Sequence, residues 1–373
     1  MAGLWCAVVG LLGGCATGGQ AVSSPRAPSA QSVESLTADC EGGEAKSCFI
    51  LGLLYASGEG VEKDIRRAAP LWEKACQGGV AKGCAALGWL YLEGEGVEED
   101  IRRAASLWAK ACQGGVTEGC AALGMLYEQG SGVDKDERRA ASLYEKACQS
   151  EDAVGCKLLA KLYLEGEGVE KDERRAASLY EKACQGGVAK GCAVLGGLYA
   201  QGRGVEKDMR RAASLYEKAC QGGNAWGCTR LGALYLEGRG VDQDEHRAAS
   251  LWAKACQGGD AMGCGGLGLA YAQGLGVEKD ERRAAALYEK ACQEGDAMGC
   301  NLLAELYLLG QGVEKDERRA ASLYEKACQG GWAKGCAALG ALYLEGQGVE
   351  KDERRAATLF QMACGAGVAD ACR

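Results

Sequence analysis

A pair of cysteines eight positions apart, Cys76 and Cys84 in K-A-C-Q-G-G-V-A-K-G-C, returns along the chain at a fixed interval of thirty-six residues. Its first members are Cys40, Cys76, Cys112, Cys148, Cys184, Cys220, Cys256, Cys292, Cys328 and Cys364. Their partners are Cys48, Cys84, Cys120, Cys156, Cys192, Cys228, Cys264, Cys300, Cys336 and Cys372. No insertion breaks the register. A strict period of this length is the signature of stacked supersecondary units, each burying its apolar face against the next. The period also changes what counts as a signal. A residue found at one phase in every copy belongs to the building block, and a residue that departs from its phase is where individual function can lie.

The 373 residues give no domain count, because a stacked array grows by adding units and needs no closed core. Abundant glycine (59) with scarce proline (3) points to regular elements with glycine corners and away from collagen-like or disordered chains. A net charge of −8 argues against nucleic acid as a partner, since neutralising phosphates takes a basic surface. No apolar run reaches the roughly 18 residues of a membrane-spanning helix.

Of the 22 cysteines, Cys6 and Cys15 lie in the apolar N-terminal stretch and all the others fall into the ten pairs. That closure fits disulfides in an exported protein. The alternative is a metal site, but zinc uses closer cysteine spacings or histidine partners, and His246 is the single histidine. On one unbroken helix the Cα atoms of such a pair would lie about 12 Å apart, beyond the roughly 7 Å limit for a disulfide. The chain must therefore reverse at Gln77-Gly78-Gly79, and the bond joins the end of one unit to the start of the next. Closing such a nine-residue loop contributes on the order of 2–3 kcal/mol in the chain-entropy account.

The third unit shows the expected hairpin. A first helix runs from about Glu118 to Gln129 with Cys120, Leu123, Leu126 and Tyr127 on one face, and Gly130 and Gly132 end it. Asp136 is the N-cap of a second helix whose buried stripe is Ala140, Leu143, Tyr144 and Ala147. Four positions after each second cysteine stands a small residue, among them Gly52, Gly88, Gly124, Ala160, Gly268 and Ala304. A mid-helix glycine costs about 1 kcal/mol against alanine, so its recurrence predicts a neighbouring helix packed too close for a larger side chain. Pro70, inside the second helix of the first unit, is expected to bend it.

Ahead of the repeats, residues 1–14 read as an export signal, and Leu12-Gly13-Gly14-Cys15 resembles a bacterial lipobox. The resemblance implies cleavage before Cys15, acylation of that cysteine, and, with Ala16 following, sorting to the outer membrane. No Lys or Arg precedes the apolar run, and an ordinary cleaved signal peptide is the alternative. Residues 15–31, with Pro25 and Pro28 among Ser, Ala and Gly, read as a flexible tether. Residues 32–40 read as a capping helix, 41–364 as nine repeats, and 365–373 as a stub closing the last cysteine pair.

The pattern A-L-G-x-L-Y-x-x-G-x-G-V-x-x-D followed by A-A-x-L-Y-x-K-A-C is similar to the Sel-1-like repeat, a relative of the tetratricopeptide repeat. Its C-x7-C resembles the Helicobacter cysteine-rich proteins, exported and disulfide-bridged members of that family. The resemblance covers residues 32–373. It implies an all-α, right-handed α/α superhelix, a solenoid of nine 36-residue helical hairpins, with a protein or peptide partner on the concave face lined by the first helices. It implies no cofactor and a membrane association only through the N-terminal lipid. It also carries an alternative, weak β-lactam or peptidoglycan-fragment binding or hydrolysis, as reported for cysteine-rich relatives.

The residues give that enzymatic alternative little support. Serine β-lactamases use S-x-x-K, whereas Ser142 and Lys146 are one residue too far apart and recur as a scaffold phase. A metal enzyme needs several histidines, and His246 stands where other copies have Arg. The G-x-G-V segment lacks a following G-K-[ST] and reads as a helix terminus, not a phosphate loop. The D-E-R-R runs read as solvated charge pairs.

Variation between copies is the sharper signal. Five positions after the second cysteine stand Leu53, Trp89, Met125, Lys161 and Glu305, and four residues earlier on the same helical face stand Phe49, Lys157 and Asn301. These two columns are expected to line the groove, apolar at its start and polar later, with Trp226 and Trp332 as edge contacts.

Overall fold

A computed structural model describes residues 30–372, all of whose regular elements are helices. The export signal, Cys15 and most of the tether lie outside the described residues. The chain divides into two compact units: unit 1 runs to Gly191 and takes in Arg203–Val205, and unit 2 comprises Cys192–Gly202 and Glu206–Arg373.

Unit 1 contains α1 (Ala30–Glu41), α2 (Ala45–Ser57), α3 (Ile65–Gln77), α4 (Ala81–Glu93), α5 (Ile101–Gln113), α6 (Thr117–Gln129), α7 (Glu137–Gln149), α8 (Ala153–Glu165) and α9 (Glu173–Gln185). Helix α10 (Ala189–Gln201) carries the boundary. Unit 2 continues with α11 (Met209–Gln221), α12 (Ala225–Glu237), α13 (Glu245–Gln257), α14 (Ala261–Gln273), α15 (Glu281–Gln293), α16 (Ala297–Leu309), α17 (Glu317–Gln329), α18 (Ala333–Glu345) and α19 (Glu353–Gly365), and ends in a 3₁₀ turn, Ala369–Cys372. From α2 onward, even-numbered helices are the first and odd-numbered helices the second of each hairpin. Helix α3 runs through Pro70 at the same thirteen residues as its counterparts.

Local chemistry sets the boundaries of both helices. Asp136 caps α7, its Oδ1 accepting from the Arg139 amide at 2.9 Å, and Asp100, Asp172, Asp244, Asp316 and Asp352 do the same in their repeats. Gly130 ends α6 in the left-handed region at φ 71°, its amide returning to the Leu126 carbonyl. Gly132 is required for a second reason: at φ 68°, a Cβ there would lie 2.7 Å from Ile101 Cγ2 at the start of the preceding second helix.

Packing within a hairpin explains the recurrent small residue. A Cβ on Gly124 would sit 2.6 Å from the ring of Tyr144 on the second helix of the same repeat, and one on Gly88 would sit 2.5 Å from the Trp108 indole. Tyr144 and Trp108 are almost completely buried. The glycine thus admits a whole aromatic ring between the two helices, and that burial offsets its cost in helix propensity.

The junctions between repeats carry the disulfides. Cys76–Cys84 and Cys112–Cys120 have Cα–Cα distances of 4.6 Å, and Cys40–Cys48 and Cys364–Cys372 close the two ends at 4.7 and 5.0 Å. Cys148–Cys156, Cys220–Cys228, Cys256–Cys264, Cys292–Cys300 and Cys328–Cys336 follow the same pattern, and Cys184 and Cys192 are also disulfide-bonded. In three repeats the lysine of K-A-C ties the second helix to the junction before it: Lys146 Nζ donates to the Cys112 carbonyl at 2.8 Å, Lys254 to Cys220 and Lys290 to Cys256.

The D-E-R-R runs are more than solvated charge. Their last arginine stacks on the tyrosine of its own first helix, Arg103 over Tyr91 and Arg175 over Tyr163 at 4.5 Å. The same guanidinium reaches back thirty residues to the second helix of the preceding repeat, Arg103 to Glu73 at 2.7 Å and Arg319 to Glu289 at 2.9 Å. Each exposed pair contributes about 0–1 kcal/mol, so these contacts set register more than they add stability.

Within the units, first helices of adjacent repeats also meet directly, α6 with α8, α12 with α14, α14 with α16, and α16 with α18. Second helices of adjacent repeats make no comparable approach. In these repeats the first helices form the tighter layer.

Candidate interaction face

Helix α8 shows how that face is built. Cys156, Leu159, Ala160 and Leu162 point into the stack and are buried. Val154, Lys157, Lys161 and Leu164, spaced three and four residues apart, share the open side. The expected site residues divide along this line. Trp89, Met125 and Lys161 are half-buried and Glu305 is exposed, so these four lie on the open side of their helices.

The earlier column is largely covered. Phe49, Ala85, Ala121, Ala193, Thr229 and Asn301 are all buried. The reason is the junction that follows, about thirty-one residues on. Val80 packs against the cluster that contains Phe49, Thr229 Oγ1 donates to Asp260 Oδ1 at 2.8 Å, and a Cβ on Gly265 would meet Asp296 Oδ2 at 2.9 Å. Leu53 is buried as well, in the cluster that includes Cys84 and Leu87 of the next first helix. Phe49 and Leu53 are therefore core residues, and the expected apolar start of the groove consists of Trp89 and Met125. Trp89 stands edge-on to Trp108, with ring centroids 5.0 Å apart.

Two columns that sequence reasoning missed complete the face. One, two positions before the second cysteine, includes Val154 and Met262, both more than two-fifths exposed. The other, eight positions after it, includes Glu128, Leu308 and Leu344. The signal was available: both columns continue the same three-four spacing in each direction along the helix. Trp226 belongs to the first of these columns, edge-on to Tyr216 at 5.7 Å and under the Arg230 guanidinium at 5.1 Å. Trp332 occupies the N-cap position of α18, and its indole Nε1 is buried with no hydrogen-bond partner among the described residues.

Electrostatics on the face are concentrated in α6 to α8. Tyr144 Oη donates to Glu128 Oε2 at 2.7 Å, and Lys161 Nζ donates to Glu128 Oε1 at 2.9 Å and lies 3.5 Å from Glu165 Oε2. Burial works to raise the Glu128 pKa, but the hydrogen bonds from Tyr144 and Lys161 outweigh it and hold the carboxyl below its usual range. Lys161 is raised by the same bond. Lys157, half-buried beside it, is lowered by burial and by the nearby charge of Lys190. In unit 2, Asn301 Nδ2 donates to Glu305 Oε1 at 2.8 Å.

Among the described residues no cluster of His, Cys, Asp and Glu suits a metal ion, and no helix is long and apolar enough to cross a membrane. Ser142, the serine of the scaffold phase, is exposed on the second helix, and Lys146 is engaged with the Cys112 carbonyl. His246 Nδ1 lies 2.7 Å from the Gly276 carbonyl.

A repeated helical hairpin, stapled at its junctions, defines a repeat scaffold. The chain belongs to the Sel1 repeat family, whose model matches residues 45–80, 81–116, 117–152, 153–188, 189–224, 227–260, 261–296, 297–332 and 333–368. Proteins of this family generally mediate protein–protein interaction. The chain is similar to a protective antigen with an SLR fold present in uropathogenic Escherichia coli strains, at 30% identity over 91% of this chain and 80% of that one, with a TM-score of 0.74. It is also similar to a Sel1 repeat protein from Oxalobacter formigenes, at 28% identity over 65% of this chain and 96% of that one, with a TM-score of 0.61. The cysteine rich protein B of Helicobacter pylori is 34% identical over 35% of this chain and 93% of its own length, with a TM-score of 0.30. No curated protein matches the sequence. The many disulfides belong to an oxidising compartment outside the cytoplasm.

Proposed function

We propose that this chain is an exported interaction scaffold, anchored at the cell envelope through acylated Cys15, whose first-helix face captures a protein or peptide. One observation carries the reading. The second helices α7, α9 and α17 have the same sequence, E-R-R-A-A-S-L-Y-E-K-A-C-Q, while first helices α8 and α16 differ only at Val154/Met298, Lys157/Asn301, Lys161/Glu305 and Glu165/Leu309, which share one side of the helix. A spacer would have no reason to confine its differences to one side.

The test compares the two sides. Full-length oxidised protein and its variants are used to capture partners from envelope extract. Met125→Glu or Leu309→Glu, on the open face, is expected to abolish a band that Ser142→Glu and Ser322→Glu, on exposed second-helix positions, leave intact. Equal retention by all four variants would remove the face as the binding surface. Intact mass of the native protein tests the anchor separately: a diacyl or triacyl increment on Cys15 supports it, and an unacylated chain excludes it.

A further inference from the structure

Three departures from the repeat pattern meet at one place in unit 2. Gly197 is the one glycine of the column five positions after the second cysteine, and Trp226 is the one aromatic residue of the column two positions before it. Arg230 stands two positions after it, where the other eight copies carry an aliphatic residue or glycine. A Cβ on Gly197 would lie 3.7 Å from Trp226 Cη2 and 3.7 Å from Tyr216 Oη, so the leucine, methionine or tryptophan of other copies would displace the indole. Tyr216 meets that indole edge-on at 5.7 Å, and Arg230, one helical turn along α12, lies over its ring at 5.1 Å.

Arg230 differs from the other arginines that stack on a ring. Nine described arginines lie over the tyrosine of their own repeat. Eight of these also pair with a carboxylate of the chain. Arg230 is exposed, and among the described residues no carboxylate pairs with it. Asp260, which enters from the next junction, is taken up by the Thr229 hydroxyl and the Gly263 amide, each at 2.8 Å. Stacking on a fixed indole holds the guanidinium plane and leaves its N–H edge to the solvent.

We propose that the Arg230 guanidinium, held on Trp226, receives an aspartate or glutamate side chain of the peptide bound on the first-helix face of unit 2. The inference rests on the reading of that face as a peptide-binding surface and adds the partner's chemistry. A guanidinium already held in place loses less freedom than a free one on forming the two parallel bonds of an arginine–carboxylate pair. Met262, one repeat on at the phase of Trp226 and more than two-fifths exposed, receives an apolar residue beside the acid.

The experiment is selection of a phage-displayed dodecapeptide library on the immobilised full-length oxidised protein, followed by titration of the best synthetic peptide in solution. Enrichment of Asp or Glu next to an apolar residue is expected. Arg230→Gln, or the corresponding amide in place of that acid in the peptide, should each weaken binding on the order of tenfold. The two changes combined should cost little more than either alone. Arg230→Lys, which keeps the charge and loses the fork, should fall between wild type and Arg230→Gln. The indole N–H resonance that vanishes in Trp226→Phe should shift when the peptide binds the wild type. Peptides without an acidic preference, binding unchanged in Arg230→Gln, or an unmoved Trp226 resonance would overturn the site while the face reading stands. Failure of the wild type to enrich any peptide would overturn both.

Discussion

Helices α8 and α16 share Leu-Leu-Ala and Leu-Tyr-Leu at the same phases, four repeats apart, yet one carries Lys157 and Lys161 and the other Asn301 and Glu305. Around this pair the rest of the open column differs in the same sense. Unit 1 fills it with Trp89 and Met125; the matching positions of unit 2 hold Ala233 and Leu269. Beneath both faces the scaffold is constant: Trp108 and Trp252 are buried at the same phase, each donating its indole N–H to a first-helix carbonyl at 3.2 Å. The hairpin core and the disulfide junction fix the positions of the face residues, and the identities of those residues vary independently of them. In unit 1 the Lys161 ammonium is paired with Glu128 and Glu165, and in unit 2 the Glu305 carboxylate takes its hydrogen bond from Asn301.

The largest expected effect tests the constancy of the scaffold. Trp108→Ala and Trp252→Ala should each cost about 3–5 kcal/mol, read as lost amide protection in the repeat concerned and its neighbours. A clear inequality between the two would show that the repeats are not equivalent beneath their faces. Next in size, removing one junction bond by Cys76→Ser with Cys84→Ser, or its counterpart by Cys220→Ser with Cys228→Ser, should cost about 2–3 kcal/mol in urea unfolding of the otherwise oxidised chain.

Acidification should separate the units. Because Glu128 is held below the usual carboxylate range, the folded state binds fewer protons than the unfolded chain, and stability rises with pH through that window. The contribution is fully present above the unfolded carboxylate pKa and is lost as pH falls through the folded one. Hydrogen exchange below about pH 4 should therefore loosen α6 to α8 more than α14 to α16, where Ala272 replaces Glu128. Glu128→Gln should abolish the difference, and a difference that survives it has another origin. The smallest effects are at the paired face positions. Lys161→Met should cost no more than about 1 kcal/mol, as its side chain is partly exposed. Glu305→Gln should change stability by less than about 0.5 kcal/mol. A larger loss for Glu305→Gln would mean that its carboxylate is paired with a cation of the chain.

Much of this arrangement was legible in the sequence because its signals are local and repeated. Asp136 as a cap, Gly130 as a terminator and the reversal between Cys76 and Cys84 each need only neighbouring residues. The contacts that were not legible join distant ones. Arg103 on Tyr91 and Glu73, Lys146 on Cys112, and Trp108 against Gly88 follow from the register between helices, which a periodic pattern does not display. The same limit explains the misplaced part of the face. Helical spacing correctly put Phe49 with Leu53, and Asn301 with Glu305, on one side of a helix, but it carries no information about Val80 or the following junction, which covers the first position of each pair. The charge inversion from Lys161 to Glu305 was visible as variation, and its meaning emerged only when Glu128 and Glu165 were found to hold the lysine.

The most direct measurement is hydrogen exchange of the full-length oxidised chain with and without a saturating selected peptide. Added protection should fall on α12 and the adjoining first helices of unit 2, with α8 and the second helices α7, α9 and α17 unchanged. Protection on the second helices, or spread equally over both units, would contradict the account.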